Sequence, residues 1–181
     1  KILAALPPFV TPVGLFVDAD AAEIRAVAGQ LGLRHVQLHG NESPQTIADL
    51  RPLTVLKALP ARPASLINDM AHWRDAIAQL GLSHLRGLIL ESPPSPTSET
   101  GGTGVANDWH AIAAAQRAGA FEGLPPTIAA GGLTPENVAD VIRLLRPWAV
   151  DVSSGVEQAK REKSKGRIAD FLAAVRDADE S

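Results

Sequence analysis

Asp151 and Ser153 alternate with Val150 and Val152 in the stretch AVDVSSGVE, residues 149–157. In an extended segment that alternation puts the acid and the hydroxyl on one face and the valines on the other. A parallel strand covered by helices is apolar on its outer face. An acid and a hydroxyl facing inward at the carboxyl end therefore stand where an α/β barrel builds its site. Ser153-Ser154-Gly155 adds small side chains and unobstructed backbone N–H groups, which suit a phosphate. A second turn, Gly131-Gly132, follows TIAA and leads to Thr134-Pro135, a helix start with proline at its first position. Each stretch alone reads equally well as a polar strand end or a tight turn. Two of them on successive strands point to a phosphate held between them.

Other candidates stand at the ends of other apolar runs. Glu91 closes LILE, Gln37 and His39 share one face of HVQLH, and Lys57 lies within TVLKA. Glu91 offers a carboxyl for proton transfer, and its structural reading is an exposed strand end. A histidine at a strand end is more often structural than catalytic. An inward lysine needs a partner, for which Glu91 and Asp151 are the candidates. The loop of residues 99–104 (ETGGTG) has the glycines of a mobile lid, and a plain surface loop fits as well. His72, His84 and His110 have no partners at metal-ligand spacing, so no metal is expected.

The elements that must position these groups alternate. Residues 13–17, 35–39, 54–58, 88–90, 127–129 and 149–152 read as strands. Helices are expected at about 21–29, from Ser43-Pro44 to near 51, at 65–79, from Asp108-Trp109 to 117, from Thr134 to near 146, and at 166–177. Residues 1–6 read as the tail of a helix stopped by Pro7-Pro8. Strands alternating with helices mean βαβ units and a parallel sheet. No G-x-G-x-x-G turn follows an early strand, as a dinucleotide-binding doubly wound sheet would require. Polar groups recur instead on the inner face at the strand ends: Gln37, His39, Lys57, Glu91, Asp151 and Ser153. That pattern fits a (β/α)8 barrel, here with six of eight βα units in a single partial-barrel domain over residues 1–181 and the first two strands expected ahead of Lys1.

Composition narrows the function. With formal charge −3, 4% aromatic residues and no basic patch, the chain shows no nucleic-acid footprint. It has no apolar run long enough to span a membrane and no signal-peptide pattern, so a cytoplasmic protein without membrane partner is expected. Zero cysteines exclude disulfide and thiol chemistry within these residues.

The segments VGLFV, VQLHG, LKAL, GGTG followed by DW, GGLTPENV and AVDVSSGVE occur in that order. In that order they resemble phosphoribosylanthranilate isomerase, the TIM-barrel family of tryptophan biosynthesis, from Pro7 to about Phe171. The resemblance implies an Amadori rearrangement of a phosphorylated aminoaldose. A general acid opens the furanose ring, and a general base removes the C2 proton of the resulting Schiff base. It makes Glu91 the acid, where the family has aspartate, and Gln37, His39, Lys57 and Asp151 substrate-binding residues. Gly131, Gly132, Ser153, Ser154 and Gly155 would hold the phosphate. No cofactor is implied, because the Schiff base is its own electron sink, and a second copy of the chain is a candidate partner. The family's base is a cysteine in a K-I-C-G-I motif, which this sequence lacks along with the arginine that follows the family's second strand. Two competing readings remain open: another phosphate-binding barrel enzyme, and a non-catalytic barrel that keeps the phosphate site.

Overall fold

The computed structural model describes residues 2–93 and 107–180. The loop expected at residues 93–107, with its ETGGTG segment, falls almost wholly outside them. Strands β1 (Val13–Phe16), β2 (His35–Leu38), β3 (Thr54–Pro60), β4 (Leu85–Glu91), β5 (Thr127–Ala129) and β6 (Ala149–Val150) lie in one sheet in chain order. The pairs β1–β2, β2–β3, β4–β5 and β5–β6 are parallel. A doubly wound sheet reverses its strand order at a switch point; this order runs straight through, as in the barrel class.

By its internal packing the chain forms two compact units, one of Lys1–Ala58 with Trp73–Gly87 and one of Leu59–His72 with Leu88–Ser181. In the first, α1 (Ala21–Leu31) and α2 (Pro44–Ala48) follow β1 and β2. Ile24, Val36, Leu38, Ile47, Leu50 and Val55 form a core with no solvent exposure. Both helices start where the sequence places them. Asp20 accepts from Glu23 N at 2.8 Å, and Ser43 accepts from Thr46 N at 3.2 Å with Pro44 in the first turn. Such caps satisfy backbone donors that have no partner within the helix.

Helix α3 (Leu66–Leu80) begins in the second unit and ends in the first. The second unit also holds α4 (Trp109–Arg117), α5 (Val138–Leu145) and α6 (Lys165–Asp179). Asp108 caps α4 through Ala111 N at 2.9 Å, and Ser164 caps α6 through Arg167 N at 3.3 Å. Buried residues here include Leu88, Ile112, Leu133 and Val138, each 2% exposed or less.

Three local expectations are corrected, and one element is added. Of residues 2–6, Leu3–Ala5 form one 3-10 turn with no buried residue; a helix that short with nothing to pack against does not repay its nucleation. The helix expected from Thr134 begins at Val138, because Asn137 folds back over the turn. Its Oδ1 accepts from Thr134 N at 2.8 Å, and its Nδ2 donates to Gly132 O at 2.9 Å. Strand β6 pairs over only two residues. Beyond it an unforeseen antiparallel hairpin, β7 (Glu157–Ala159) with β8 (Glu162–Lys163), turns through Arg161 at φ 67°.

Among the described residues β1 pairs with β2 alone. Val13, Leu15 and Val17 are 42%, 57% and 42% exposed, and Phe9 wholly so. An apolar strand edge of this kind templates association with another chain. Val13→Lys should raise the concentration at which the protein self-associates about tenfold, as followed by sedimentation velocity.

Candidate active site

Within the second unit, register decides which strand-end groups can meet. Leu90, Ala129 and Val150 are neighbours across β4, β5 and β6, as are Ile128 and Ala149 one residue earlier. Paired residues in parallel strands share a face, so Glu91 and Asp151, one residue beyond, fall together on the opposite face from Val150. The ladder continues that far: Ala130 N donates to Leu90 O at 3.1 Å and Asp151 N to Ala129 O at 2.8 Å. Glu91 is anchored by its own carbonyl, which accepts from Ala61 N at 2.8 Å.

The charge of Asp151 bears on Glu91. Burial, first, and the negative charge of Asp151, second, push Glu91 up to about 7. A carboxyl with that value holds its proton near neutrality and can deliver it to a bound molecule, as a general acid must.

The glycine turns are explained by close approach. Gly131 and Gly132 have φ of 85° and 67°, in the left-handed region that favours glycine. A Cβ on Gly131 would collide with the backbone nitrogen and hydroxyl of Ser92, directly after Glu91. A Cβ on Gly155 would collide with the carbonyl of Leu133. The turns after β5 and β6 are thus in backbone contact, and beside them opens a cleft of about 290 Å³. It is lined by Gly132, Leu133, Thr134, Ser154, Gly155, Glu157 and Arg167.

Three of the five expected phosphate residues, Gly132, Ser154 and Gly155, therefore line one cleft. Gly131 is turned to Ser92, and Ser153 is engaged by Lys163, whose Nζ donates to its carbonyl at 2.8 Å and its hydroxyl at 3.3 Å. Thr134, Glu157 and Arg167 were not singled out from the sequence. Arg167 Nε donates to Gly155 O at 3.0 Å, and its Nη2 pairs with Glu136 at 3.2 Å. The only signal for it was a cation in the first turn of the last helix.

In the first unit Gln37 and His39 are brought together. The Gln37 amide nitrogen lies 3.2 Å from His39 Nδ1, within hydrogen-bonding distance.

Lys57 is corrected on two counts. Register pairs Leu38 with Lys57 and Gln37 with Leu56, so Lys57 starts from Leu38's face and not from Gln37's. Its partner is Glu42, at 3.0 Å, both side chains being 2% exposed or less. Lys57 Nζ also donates to Gly40 O at 2.7 Å and Ala58 O at 2.9 Å, with Leu38 O at 3.4 Å. Its three N–H groups are thus spent on protein oxygens, which leaves none for a substrate carboxylate. Burial lowers its pKa, with Glu42 opposing the shift. Glu42, hidden in the turn sequence GNES, was missed; the need of a lysine in an apolar strand for an acid was the available signal.

Among the described residues no group of three or more metal-ligating side chains occurs, and no helix is long and apolar enough to cross a membrane.

The model of the N-(5'-phosphoribosyl)anthranilate isomerase family matches residues 3–174. The N-(5'-phosphoribosyl)anthranilate isomerase of Paracoccus denitrificans is 40% identical over 173 residues, covering 96% of this chain and 76% of that protein. A solved phosphoribosyl anthranilate isomerase in complex with reduced 1-(o-carboxyphenylamino)-1-deoxyribulose 5-phosphate superposes with TM-score 0.74 at 29% identity, over 97% of this chain and 76% of that one. Monomers of the dimeric enzyme of Thermotoga maritima give 0.72 at 27%, over 96% and 75%.

Glu91 also marks stability. Its folded pKa of about 7 lies above the ordinary 4.5, so between those values the folded state holds a proton that the unfolded state has released. Stability should fall as pH rises through that window. Urea midpoints should show Glu91→Gln more stable than the parent above pH 7, with the difference gone below pH 4.

Proposed function

The chain belongs to the N-(5'-phosphoribosyl)anthranilate isomerase family of (β/α)8 barrels, and on that premise we propose that Glu91 is the general acid of its Amadori rearrangement. The family's reaction, in tryptophan biosynthesis, converts N-(5'-phosphoribosyl)anthranilate to 1-(2-carboxyphenylamino)-1-deoxyribulose 5-phosphate. The chain carries six of the fold's βα units.

One observation carries the assignment: Glu91, held at the carboxyl end of β4 on the face it shares with Asp151, with its pKa raised to about 7. In the proposed step its O–H donates to the furanose ring oxygen as the C1–O bond breaks and the nitrogen lone pair forms the imine. Loss of the C2 proton then gives the enolamine, which tautomerises to the ketose. Burial, with repulsion from Asp151 second, keeps the proton on Glu91, and Asp151 is proposed as a contact for substrate hydroxyls. Gln37 and His39 are proposed as substrate contacts, and Gly132, Ser154 and Gly155 as the phosphate cradle. Gly131 and Ser153 support that cradle from behind, through Ser92 and Lys163.

The family base is, by resemblance, a cysteine, and these 181 residues contain none. They supply the acid and the phosphate site. The ligand is proposed to be a phosphorylated small molecule, which does not cross membranes unaided, so a cytoplasmic location belongs to the same reading. A second copy of the chain is proposed as partner, on the strength of the dimeric Thermotoga maritima relative.

Calorimetry with the reduced product analogue tests the site. Glu91→Gln should bind it with affinity close to the parent, whereas Gly155→Val should lose it, because the new side chain would force the two turns apart. Strong loss of affinity in Glu91→Gln would make Glu91 a binding group and remove its assignment as acid. The chain, prepared from a host lacking its own isomerase, should give no turnover; turnover would assign the base to a residue present here.

A further inference from the structure

The Glu42–Lys57 pair is more elaborate than a buried ion pair needs to be. Glu42 Oε1 accepts from Asp18 N at 2.9 Å and from Gly40 N at 3.1 Å, while Oε2 accepts from Gly40 N and Lys57 Nζ, both at 3.0 Å. Lys57 in turn holds the carbonyls of Gly40 and Ala58, with that of Leu38 at the margin. Two side chains thereby satisfy backbone groups just past the end of β1, at and beyond the end of β2, and within β3.

The segment between is closed from the other side as well. Asp18, at φ 53°, accepts from Asn41 N at 2.6 Å, and a Cβ on Gly40 would collide with Asp18. His39 N donates to Phe16 O at 2.8 Å. His39 therefore sits between the last ladder bond and a knot of two buried charges.

Stability alone does not account for this. A well-packed apolar pair of similar volume is commonly as stabilising as a buried ion pair. An apolar pair would, however, leave the N–H groups of Asp18 and Gly40 and the carbonyls of Gly40 and Ala58 without partners. What the charges supply is a fixed path for the backbone at the point where β2 ends.

We propose that Glu42 and Lys57 are positioning residues for Gln37 and His39: acting through the backbone of Gly40, the buried pair fixes where β2 presents those two side chains to the substrate. The proposal rests on the reading of Gln37 and His39 as substrate contacts.

The test pairs Glu42→Gln with Lys57→Met in one variant and uses Glu42→Gln alone as the second. Folding is followed by circular dichroism, binding by calorimetry with inorganic phosphate and with the reduced product analogue, and His39 by its ring resonances. The double variant should bind inorganic phosphate as the parent does, since that cleft belongs to the other unit. It should lose about tenfold or more in affinity for the analogue, the scale expected for contact groups displaced by a fraction of an ångström to an ångström. The His39 resonances should shift while those of His72 and His110 stay in place. Analogue affinity within twofold of the parent in a folded variant would overturn the proposal, as would a parallel loss for both ligands. If the double variant does not fold, the same readings on Glu42→Gln decide. If the parent itself fails to bind the analogue, the functional reading falls, and the His39 resonances alone then decide the positioning claim.

Discussion

Where a parallel ladder stops, the last N–H and C=O groups of each strand lose their neighbours, and burying them unpaired is costly. The chain meets this constraint with side chains at nearly every strand end. After β1 and β2 the donors and acceptors are Lys57 and Glu42. After β4 and β5, Asn107 Nδ2 donates to Leu90 O at 3.1 Å and Ala130 O at 2.8 Å. After β5, Asn137 takes Gly132 O and Thr134 N. After β6, Lys163 and Arg167 take the carbonyls of Ser153 and Gly155. The strand ends are thus held by side chains from neighbouring turns, strands and helices.

The same constraint separates two glutamates that composition alone would treat alike. Glu42 is buried against an ammonium and three backbone donor contacts, an environment that suits a carboxylate. Glu91 is half-buried with another acid as its neighbour, an environment that suits a carboxylic acid. One is held by an ion pair and backbone N–H groups and serves geometry. The other is poised near neutrality and can serve proton transfer. Lys57 shows the complementary tension: burial disfavours its charge while Glu42 favours it.

How far the sequence reveals this depends on the range of each interaction. The strands and the caps at Asp20, Ser43 and Asp108 were legible because alternation and capping are local. Glu91 and Asp151 were correctly placed on one face because alternation counts reliably along short strands that turn out to be in register. Lys57 was misplaced because cross-strand register is not local: Lys57 stands opposite Leu38, not Gln37, and only the paired sheet reveals it. Its acid, Glu42, lies 15 residues away in a turn. The hairpin of 157–163 was invisible because its turn passes through Arg161, where glycine or asparagine would have signalled it.

Two ion pairs each contribute one residue to the lining of the cleft. Arg167 pairs with Glu136 and Lys163 with Glu157, and the latter pair includes a glutamate that lines the cleft. These pairs are partly or largely exposed, and each is worth little by itself. Their effect is to balance Arg167 in the cleft lining and Lys163 beside it, so an anion there would meet little net attraction from these side chains. What remains is the backbone: the N–H groups of the turns, kept accessible by Gly132 and Gly155, and the partial positive charge of helix starts. Backbone donors are fixed by the fold and lose no side-chain entropy on binding. The cleft is thus shaped by backbone contact, Gly155 lying against the Leu133 carbonyl, while the cations beside it are tied to glutamates.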